Sequence, residues 1–568
     1  MAEEIFDYVI VGAGSAGCVL ADRLTEDGRH TVLVLECGGS DRSIYIQMPT
    51  ALSIPMNMPK YNWFYHSEPE PNLGGRRMHT PRGKVLGGSS SINGLVYVRG
   101  NPLDFERWES EGAQGWGYRH VLPYFRRAER RADGPDEYRG GDGKLNTRYG
   151  LLTNPLHQAW LEAGRHAGYP LTPDMNGFQQ EGFGRMDMTV GGGRRCSAAN
   201  AYLRPAMRRS NLVVRPHALA TRILFDGRRA TGVSYRRGDV DLVARVRREV
   251  IVSGGPVNSP QLLKLSGVGP RDELAEHGIA IVHDLPGVGE NLQDHLEFYF
   301  QVACTEPITL YSQTTPLRRA LIGLRWILTK DGLGASNHFE TGGFIRSRAG
   351  VRYPDIQFHF LPMAVSYDGS SLAREHGFQA HAGPMRSKSK GWVRLASAEP
   401  FAKPKIFFNY MSHPDDWLEM RACVRLTREI FAQPPFDRYR GREIQPGADV
   451  QTDEQIDEFI RQHVESAYHP SCSCKMGSAA DRQAVVDPQA RVIGVEALRV
   501  VDSSIMPSIT TGNLNAPTIM LAEKAADHIL GKPPLPHAQA PYYVAAGWER
   551  SQRSTSTGQP ASTTHENE

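Results

Sequence analysis

Three glycine turns and one late imidazole are the residues of this chain whose types and spacing could do chemistry. Gly12-Ala13-Gly14-Ser15-Ala16-Gly17 permits a tight turn whose backbone can touch a pyrophosphate, and Glu36, 19 residues past Gly17, can accept both hydroxyls of a ribose. An acid at that place, instead of Arg, favours an unphosphorylated ribose. The motif binds a dinucleotide and by itself does not choose between NAD and FAD. Residues 82–94, RGKVLGGSSSING, form a second cluster whose small residues let backbone approach a flat ligand, with hydroxyls and Asn93 as hydrogen-bonding groups. Gly254-Gly255-Pro256 is a third turn at which the same ligand can lie. Near the end, His469 in Ala467-Tyr468-His469-Pro470 and Asn513 after Gly512 supply an imidazole and an amide.

These groups need elements to position them. Residues 7–11 read as a β-strand, Ala16, Leu20 and Leu24 as a helix, and 31–35 as a second strand, so the first turn sits in a βαβ unit. Residues 49–71, rich in Met, Pro, Asn and aromatics, read as a long loop or lid. Helices are expected toward the end of 99–131, over 155–168 and over 518–530. Apolar runs at 212–214, 223–225, 232–235 and 250–253 predict strands returning to a sheet. Residues 298–393 are mixed, with strands at 339–345 and 355–361, and 415–431 predicts an amphipathic helix that packs on a core. The stretch from 547 to 568 has few apolar positions and predicts a disordered tail.

With 568 residues the chain is expected to form two domains or to weave between them. A net charge of +3, from 65 basic and 62 acidic residues, provides no field for nucleic acid, which points to a small-molecule partner. No apolar run reaches the length of a transmembrane segment, and the first strand leaves no room for a signal peptide, so a cytoplasmic protein is expected, with peripheral contact at the inner membrane face left open. The seven cysteines follow no framework spacing, and Cys472 and Cys474 lack a second ligand pair, which argues against a metal site.

Taken in order, Gly12-x-Gly14-x-x-Gly17, the 83–93 stretch GKVLGGSSSIN, the 255–269 stretch GPVNSPQLLKLSGVG and the His469/Asn513 pair resemble the glucose-methanol-choline (GMC) flavoprotein oxidoreductases over about 6–530. Tyr61-Asn62-Trp63, Glu340-Thr-Gly-Gly-Phe344, the 467–477 stretch AYHPSCSCKMG and Gly512-Asn-Leu-Asn515 are most similar to the choline-oxidising members. The resemblance implies an α/β protein with a Rossmann-like FAD-binding domain and an antiparallel-sheet substrate-binding domain. It divides the chain into 1–301 (with a lid at about 45–80) and 466–535 for FAD, 302–465 for substrate, and a tail from 536. It implies FAD on Gly12, Gly14, Ser15, Ala16, Glu36, Val85, Gly88, Asn93, Gly94 and Val96, with the ring near Ser89 to Val96. Ala220 would lie beside the adenine, and Asp502 and Ser503 near the ribityl-pyrophosphate. Some members tether the flavin through a His in the second cluster; Ile92 stands there, so a non-covalent cofactor is implied.

In such a protein His469 would be the base or alkoxide-stabilising group, while Asn513, which cannot take a proton, would hold the alcohol oxygen. Choline carries a permanent cation, held by aromatic faces and a carboxylate. Glu340 is the carboxylate that the resemblance implies, with Tyr468 and Trp63 as cage walls. His295 and His359, among 20 histidines, are read as structural. The expected reaction is choline to betaine aldehyde, extending to glycine betaine, with hydride passing to flavin N5 and electrons to an acceptor such as a membrane quinone. A dehydrogenase for another primary alcohol and a non-redox lyase of the hydroxynitrile-lyase kind are the alternatives.

Overall fold

The computed structural model describes residues 4–365 and 375–553. Strands β1 (Glu4–Val11) and β2 (Val32–Glu36) are near-continuous apolar runs, as parallel strands covered on both faces must be. Helix α1 (Ser15–Thr25) crosses between them. The chain returns with β3 (Leu212–Pro216), parallel to β2. Strands β4 (Ala218–Asp226), β5 (Arg229–Arg237) and β6 (Val240–Val252) then form an antiparallel meander whose last strand runs parallel beside β1. The sheet order is β3-β2-β1-β6-β5-β4, and Leu498–Val500 adds to β6 from the far end of the chain. Helix α2 (Gly255–Leu265) starts directly beyond β6. Two glycine turns therefore lie side by side at the carboxyl ends of β1 and β6, where open α/β sheets bind ligands.

The second sheet is antiparallel throughout. It contains β7 (Leu296–Cys304), β8 (Thr341–Ile345), β9 (Ile356–Leu361) and β10 (Gly377–Pro384), with helix α3 (Pro414–Phe431) packed on one face and β11 (Arg440–Gln445) at one edge. Its order is β11-β7-β10-β9-β8, closed by the short strand Gly182–Arg185. Alternation separates its faces. Phe298, Phe300, Phe358, Phe360 and Phe378 enter one aromatic core with Trp160 and Phe431. Glu297, Gln301, Gln357, His359, Gln379 and His381 take the opposite face and are buried there as well. The last helix, α4 (Asn515–Ile529), packs on α1, with Ser15 Oγ donating to Asn515 Oδ1 at 2.8 Å and Arg23 paired with Glu523 at 2.8 Å.

Three expectations need correction. The boundary at 301/302 falls inside β7, and the second sheet recruits Gly182–Arg185 from the N-terminal part, because β8 needs a partner on its open edge. The stretch expected as a lid loop contains short helices, Ile44–Gln47 and Ser53–Met56, and a hairpin of Tyr65–His66 with His79–Thr80. The expected tail is docked at its start: Gln552 Nε2 donates to the Tyr169 hydroxyl at 3.0 Å, and Arg553 pairs with Glu429 at 2.7 Å. Residues 554–568 lie outside the described residues.

One buried acid on α3 sets a stability prediction. Glu419 is turned inward toward Asp355 and Asp416, and burial followed by those charges raises its carboxyl to about 8. A carboxyl raised above its unfolded value costs stability that grows as pH climbs above about 4.5 and is complete above pH 8. Glu419→Gln should therefore raise the melting temperature at pH 9, by roughly 2–4 kcal/mol in stability, with the gap closing at pH 5. Thermal melts of both proteins at the two pH values check this.

Candidate active site

The three glycine turns and the late His and Asn line one cavity of about 560 Å3. Gly12 has φ +99°, and a Cβ there would lie 2.4 Å from the Ser253 carbonyl oxygen, so close packing of β1 against β6 requires glycine. Gly88, at φ +52°, would place a Cβ 2.7 Å from Gly14 Cα, and Gly87 N–H donates to the Ala13 carbonyl at 2.8 Å; the first and second clusters touch. Helix α1 begins after Gly14 with no side-chain cap, which leaves first-turn N–H groups for an anion. Glu36 accepts from Ala13 N–H at 2.9 Å and Gly38 N–H at 2.7 Å, and burial pushes its carboxyl up to about 7.

Gly12, Gly14, Ser15, Ala16, Glu36, Gly88, Asn93, Gly94, Val96, Ala220, Asp502 and Ser503 all border this cavity. Val85 does not. It is fully buried with Ile46, Tyr61 and Ile92, and pairs by its backbone with Gly39, so it supports the wall from behind. Asp502 joins two turns by accepting from Gly255 N–H at 2.9 Å and Ser259 Oγ at 2.6 Å. The second cluster is braced by Arg195, a residue the sequence did not single out. It is buried without an acidic partner among the described residues and donates to the Asn93 carbonyl at 2.8 Å and Asn93 Oδ1 at 2.7 Å. Burial lowers its pKa to about 9.

At the other end, the hydrogen bonds assign the tautomer of His469. The Met385 carbonyl can only accept, so His295 Nε2, 2.9 Å away, carries a hydrogen and His295 Nδ1 does not. His469 Nδ1, 3.1 Å from that nitrogen, must then be the donor. His469 Nε2 is left with its lone pair, accepting from Asn513 Nδ2 at 3.1 Å, and both side chains border the cavity. Burial, then the neighbouring imidazoles, hold the pKa of His469 well below the usual histidine range, so the ring is neutral at rest. Asp294 fixes the two backbones, accepting from His469 N–H at 2.7 Å and His295 N–H at 2.9 Å.

The carboxylate beside this pair is Glu297, not Glu340. Glu340 lies behind the wall, its oxygens taken by Leu152 N–H and Ser336 Oγ, both at 2.6 Å, because its register in the chain segment before β8 points it at residues 150–152. Glu297 borders the cavity, and its charge acts on His359 and His295. It is oriented by His381. Gln379 Oε1 accepts from Gln301 Nε2 and Val365 N–H, both at 2.8 Å, so Gln379 Nε2 donates to His381 Nε2 at 2.7 Å. His381 Nδ1–H then donates to Glu297 Oε1 at 3.1 Å. Tyr468 and Trp63 both line the cavity; Tyr468 adopts φ +64°, with its carbonyl held by Arg82, and Trp63 stacks on Tyr65 with ring centroids 5.7 Å apart.

Sequence reading missed Glu297, His295, His359 and Asp294. The signal for all four was present in the alternation of β7 and β9 and in the Asp294-His295 step leading into β7. His359 lines the cavity, with Nε2 3.2 Å from Asn513 Oδ1.

A glycine-built dinucleotide cradle that shares one cavity with a neutral imidazole and a carboxylate defines an oxidoreductase site. The N-terminal GMC oxidoreductase model matches residues 6–297 and the C-terminal model residues 387–522; the chain belongs to the GMC oxidoreductase family. Among curated relatives, the oxygen-dependent choline dehydrogenase of Photobacterium profundum is 57% identical over 98% of this chain and 98% of its own length. That of Brucella ovis is 58% identical over 96% of this chain and 100% of its own. Solved structures include pyridoxine 4-oxidase from Mesorbium loti, with TM-score 0.83, 29% identity and coverage of 92% of this chain and 98% of that one. A formate oxidase of Aspergillus oryzae has TM-score 0.88 at 26% identity, covering 94% of this chain and 99% of that one.

Proposed function

We propose that this chain holds FAD without a covalent tether and oxidises choline to betaine aldehyde, and onward through the aldehyde hydrate to glycine betaine. The observation that carries the reading is that the His469 lone pair and the Glu297 carboxylate border the same cavity as the glycine cradle. The names of the full-length relatives support choline as the substrate. The residues fit FAD: glycines clear the approach, the uncapped α1 terminus offers N–H groups to a pyrophosphate, and Glu36 is the ribose acceptor. When bound, FAD supplies the hydride acceptor.

An alcohol hydroxyl, both donor and acceptor, can bridge His469 Nε2 and Asn513 Nδ2 in place of their direct 3.1 Å hydrogen bond. The substrate proton goes to His469 Nε2 as the α-carbon gives up its hydride, and Asn513 N–H donates to the oxygen as charge builds there. Glu297 faces the trimethylammonium group, with Tyr468 and Trp63 as aromatic walls. The first sheet serves the cofactor and the second the substrate. His295 acts by fixing the ring of His469: His295→Ala should lower kcat about 10- to 100-fold with a smaller change in KM, read by steady-state kinetics at saturating choline.

Anaerobic titration of the purified holoenzyme with choline tests the reading. Stoichiometric bleaching of the flavin supports it. Bleaching by neutral primary alcohols in preference to choline favours the other-alcohol reading, and cyanide release from a cyanohydrin without bleaching favours the lyase. Admitting air or a soluble quinone to the bleached enzyme then tests the proposal that a membrane quinone is the acceptor. Among the described residues no helix is long and apolar enough to cross a membrane.

A further inference from the structure

Arg195 is a buried cation with nothing negative beside it. Arg99, Arg139, Arg346, Arg386 and Arg499 are the other buried arginines among the described residues, and each meets a carboxylate at 2.6–2.9 Å. Arg195 donates only to neutral acceptors. Its Nε reaches the Ile46 carbonyl at 2.8 Å, and its Nη1 reaches the Ser90 carbonyl at 3.3 Å, the Asn93 carbonyl at 2.8 Å and Asn93 Oδ1 at 2.7 Å. Its Nη2 has no hydrogen-bond partner among the described residues. Burial alone lowers its pKa, to about 9, which leaves it charged at neutral pH. An unpaired buried charge is costly, and a neutral amide or an ion-paired arginine would hold the same carbonyls at less cost. The charge itself therefore needs a reason.

That reason lies on the cavity side of the segment it holds. Ser89, Ser90, Asn93 and Gly94 border the cavity, so the guanidinium stands one layer of backbone behind the wall. The inference rests on the reading that FAD binds with its ring against residues 89–96. Hydride uptake breaks the C–H bond of the alcohol, forms a bond at flavin N5 and adds an electron pair, so a neutral ring acquires one negative charge while the hydroxyl proton goes to His469 Nε2. A fixed cation in a water-excluded wall lowers the energy of that charged form and leaves the neutral oxidised form little changed. We propose that Arg195 sets the reduction potential of the bound flavin, its uncompensated charge favouring the reduced anion.

Other positive groups on the cavity wall do not supply this charge. Lys84 acts on Glu36 and Cys37, at the ribose end. Arg82 donates to the Tyr468 carbonyl and feels the Asp294 carboxylate, and His469 is neutral at rest. Arg195 touches neither substrate nor reacting atoms; it acts across the wall through its field. Because its contacts also position Asn93, charge and geometry have to be separated by experiment.

The experiment is redox titration of the full-length holoenzyme against dyes of known potential, comparing wild type with Arg195→Met and Arg195→Lys at pH 6, which holds the lysine in its charged form. Both variants lose the planar fork, and only the lysine keeps the charge. Arg195→Met should lower the equilibrium constant for flavin reduction about tenfold or more, a fall of about 30 mV for a two-electron couple. Anaerobic bleaching by choline should slow in that variant while KM stays within about twofold. Arg195→Lys should stay within about threefold of the wild-type equilibrium constant. If Arg195→Met does not retain flavin, Arg195→Gln, which keeps amide donors without charge, takes its place under the same expectation. An unchanged potential in the neutral variant, or equal falls in the neutral and lysine variants, overturns the proposal. Bleaching of the wild type by choline is independent of both outcomes, so the functional reading stands or falls separately.

Discussion

His469→Ala lowers kcat for choline by about 10²- to 10⁴-fold while the flavin content and melting temperature stay near wild type. That range corresponds to roughly 3–5 kcal/mol of lost transition-state stabilisation. The loss is large because the hydrogen bonds leave one imidazole nitrogen, Nε2, as an acceptor that can take a proton. The Met385 carbonyl sets His295, His295 sets Nδ1 of His469, and Nε2 is left facing Asn513 and the cavity. The cradle shares no side chain with this chain of contacts, so the cofactor should remain in place. His469→Ala and Asn513→Ala together should cost less than the sum of the two, because each residue's partner at the alcohol oxygen is the other. Rapid-mixing measurement of anaerobic flavin bleaching separates the effect from later steps.

Glu297→Gln raises the KM for choline by about 10- to 100-fold and leaves the KM for 3,3-dimethylbutan-1-ol, its neutral isostere, within about twofold. The two alcohols have the same shape and differ by one charge, so the ratio isolates the carboxylate. Glu340→Gln, by contrast, should leave both KM values unchanged and cost about 1–2 kcal/mol of stability, since its oxygens hold Leu152 N–H and Ser336 Oγ inside the protein. Steady-state kinetics with both alcohols on both variants, with a thermal melt of each, tests the assignment. A rise in choline KM on Glu340→Gln alone would restore the carboxylate expected from the sequence.

Glu340 and Glu297 show where the sequence was legible and where it was not. The cradle could be read directly, because Gly12, Gly14, Gly17 and Glu36 lie within one local βαβ unit whose spacing is set by strand and helix geometry. His469 and Asn513 stood out through their neighbours and their resemblance to a family pattern. The substrate end could not be read that way, since it is assembled from three strands, β7, β9 and β10, distant in sequence. Which carboxylate faces the cavity depends on strand register, and one step flips a side chain to the other face.

The alternation was nevertheless present. Phe298 and Phe300 flank Tyr299, Phe358 and Phe360 flank His359, and Phe378 precedes Gln379, so period 2 already separated the aromatic core from a polar face carrying Glu297, His359 and His381. The docked stretch 547–553 was missed for a different reason. Its composition is that of a free tail, and it is held by Tyr169, Glu429 and Arg346, which lie far away in the chain.

A crystal structure of the holoenzyme with glycine betaine bound tests the central claim most directly. The account predicts the product's carboxylate accepting from Asn513 Nδ2 and from His469 Nε2, which carries in this complex the proton it takes up in the reaction, with the trimethylammonium group against Glu297. A ligand in the opposite orientation, or an ammonium group bound away from Glu297, would contradict it.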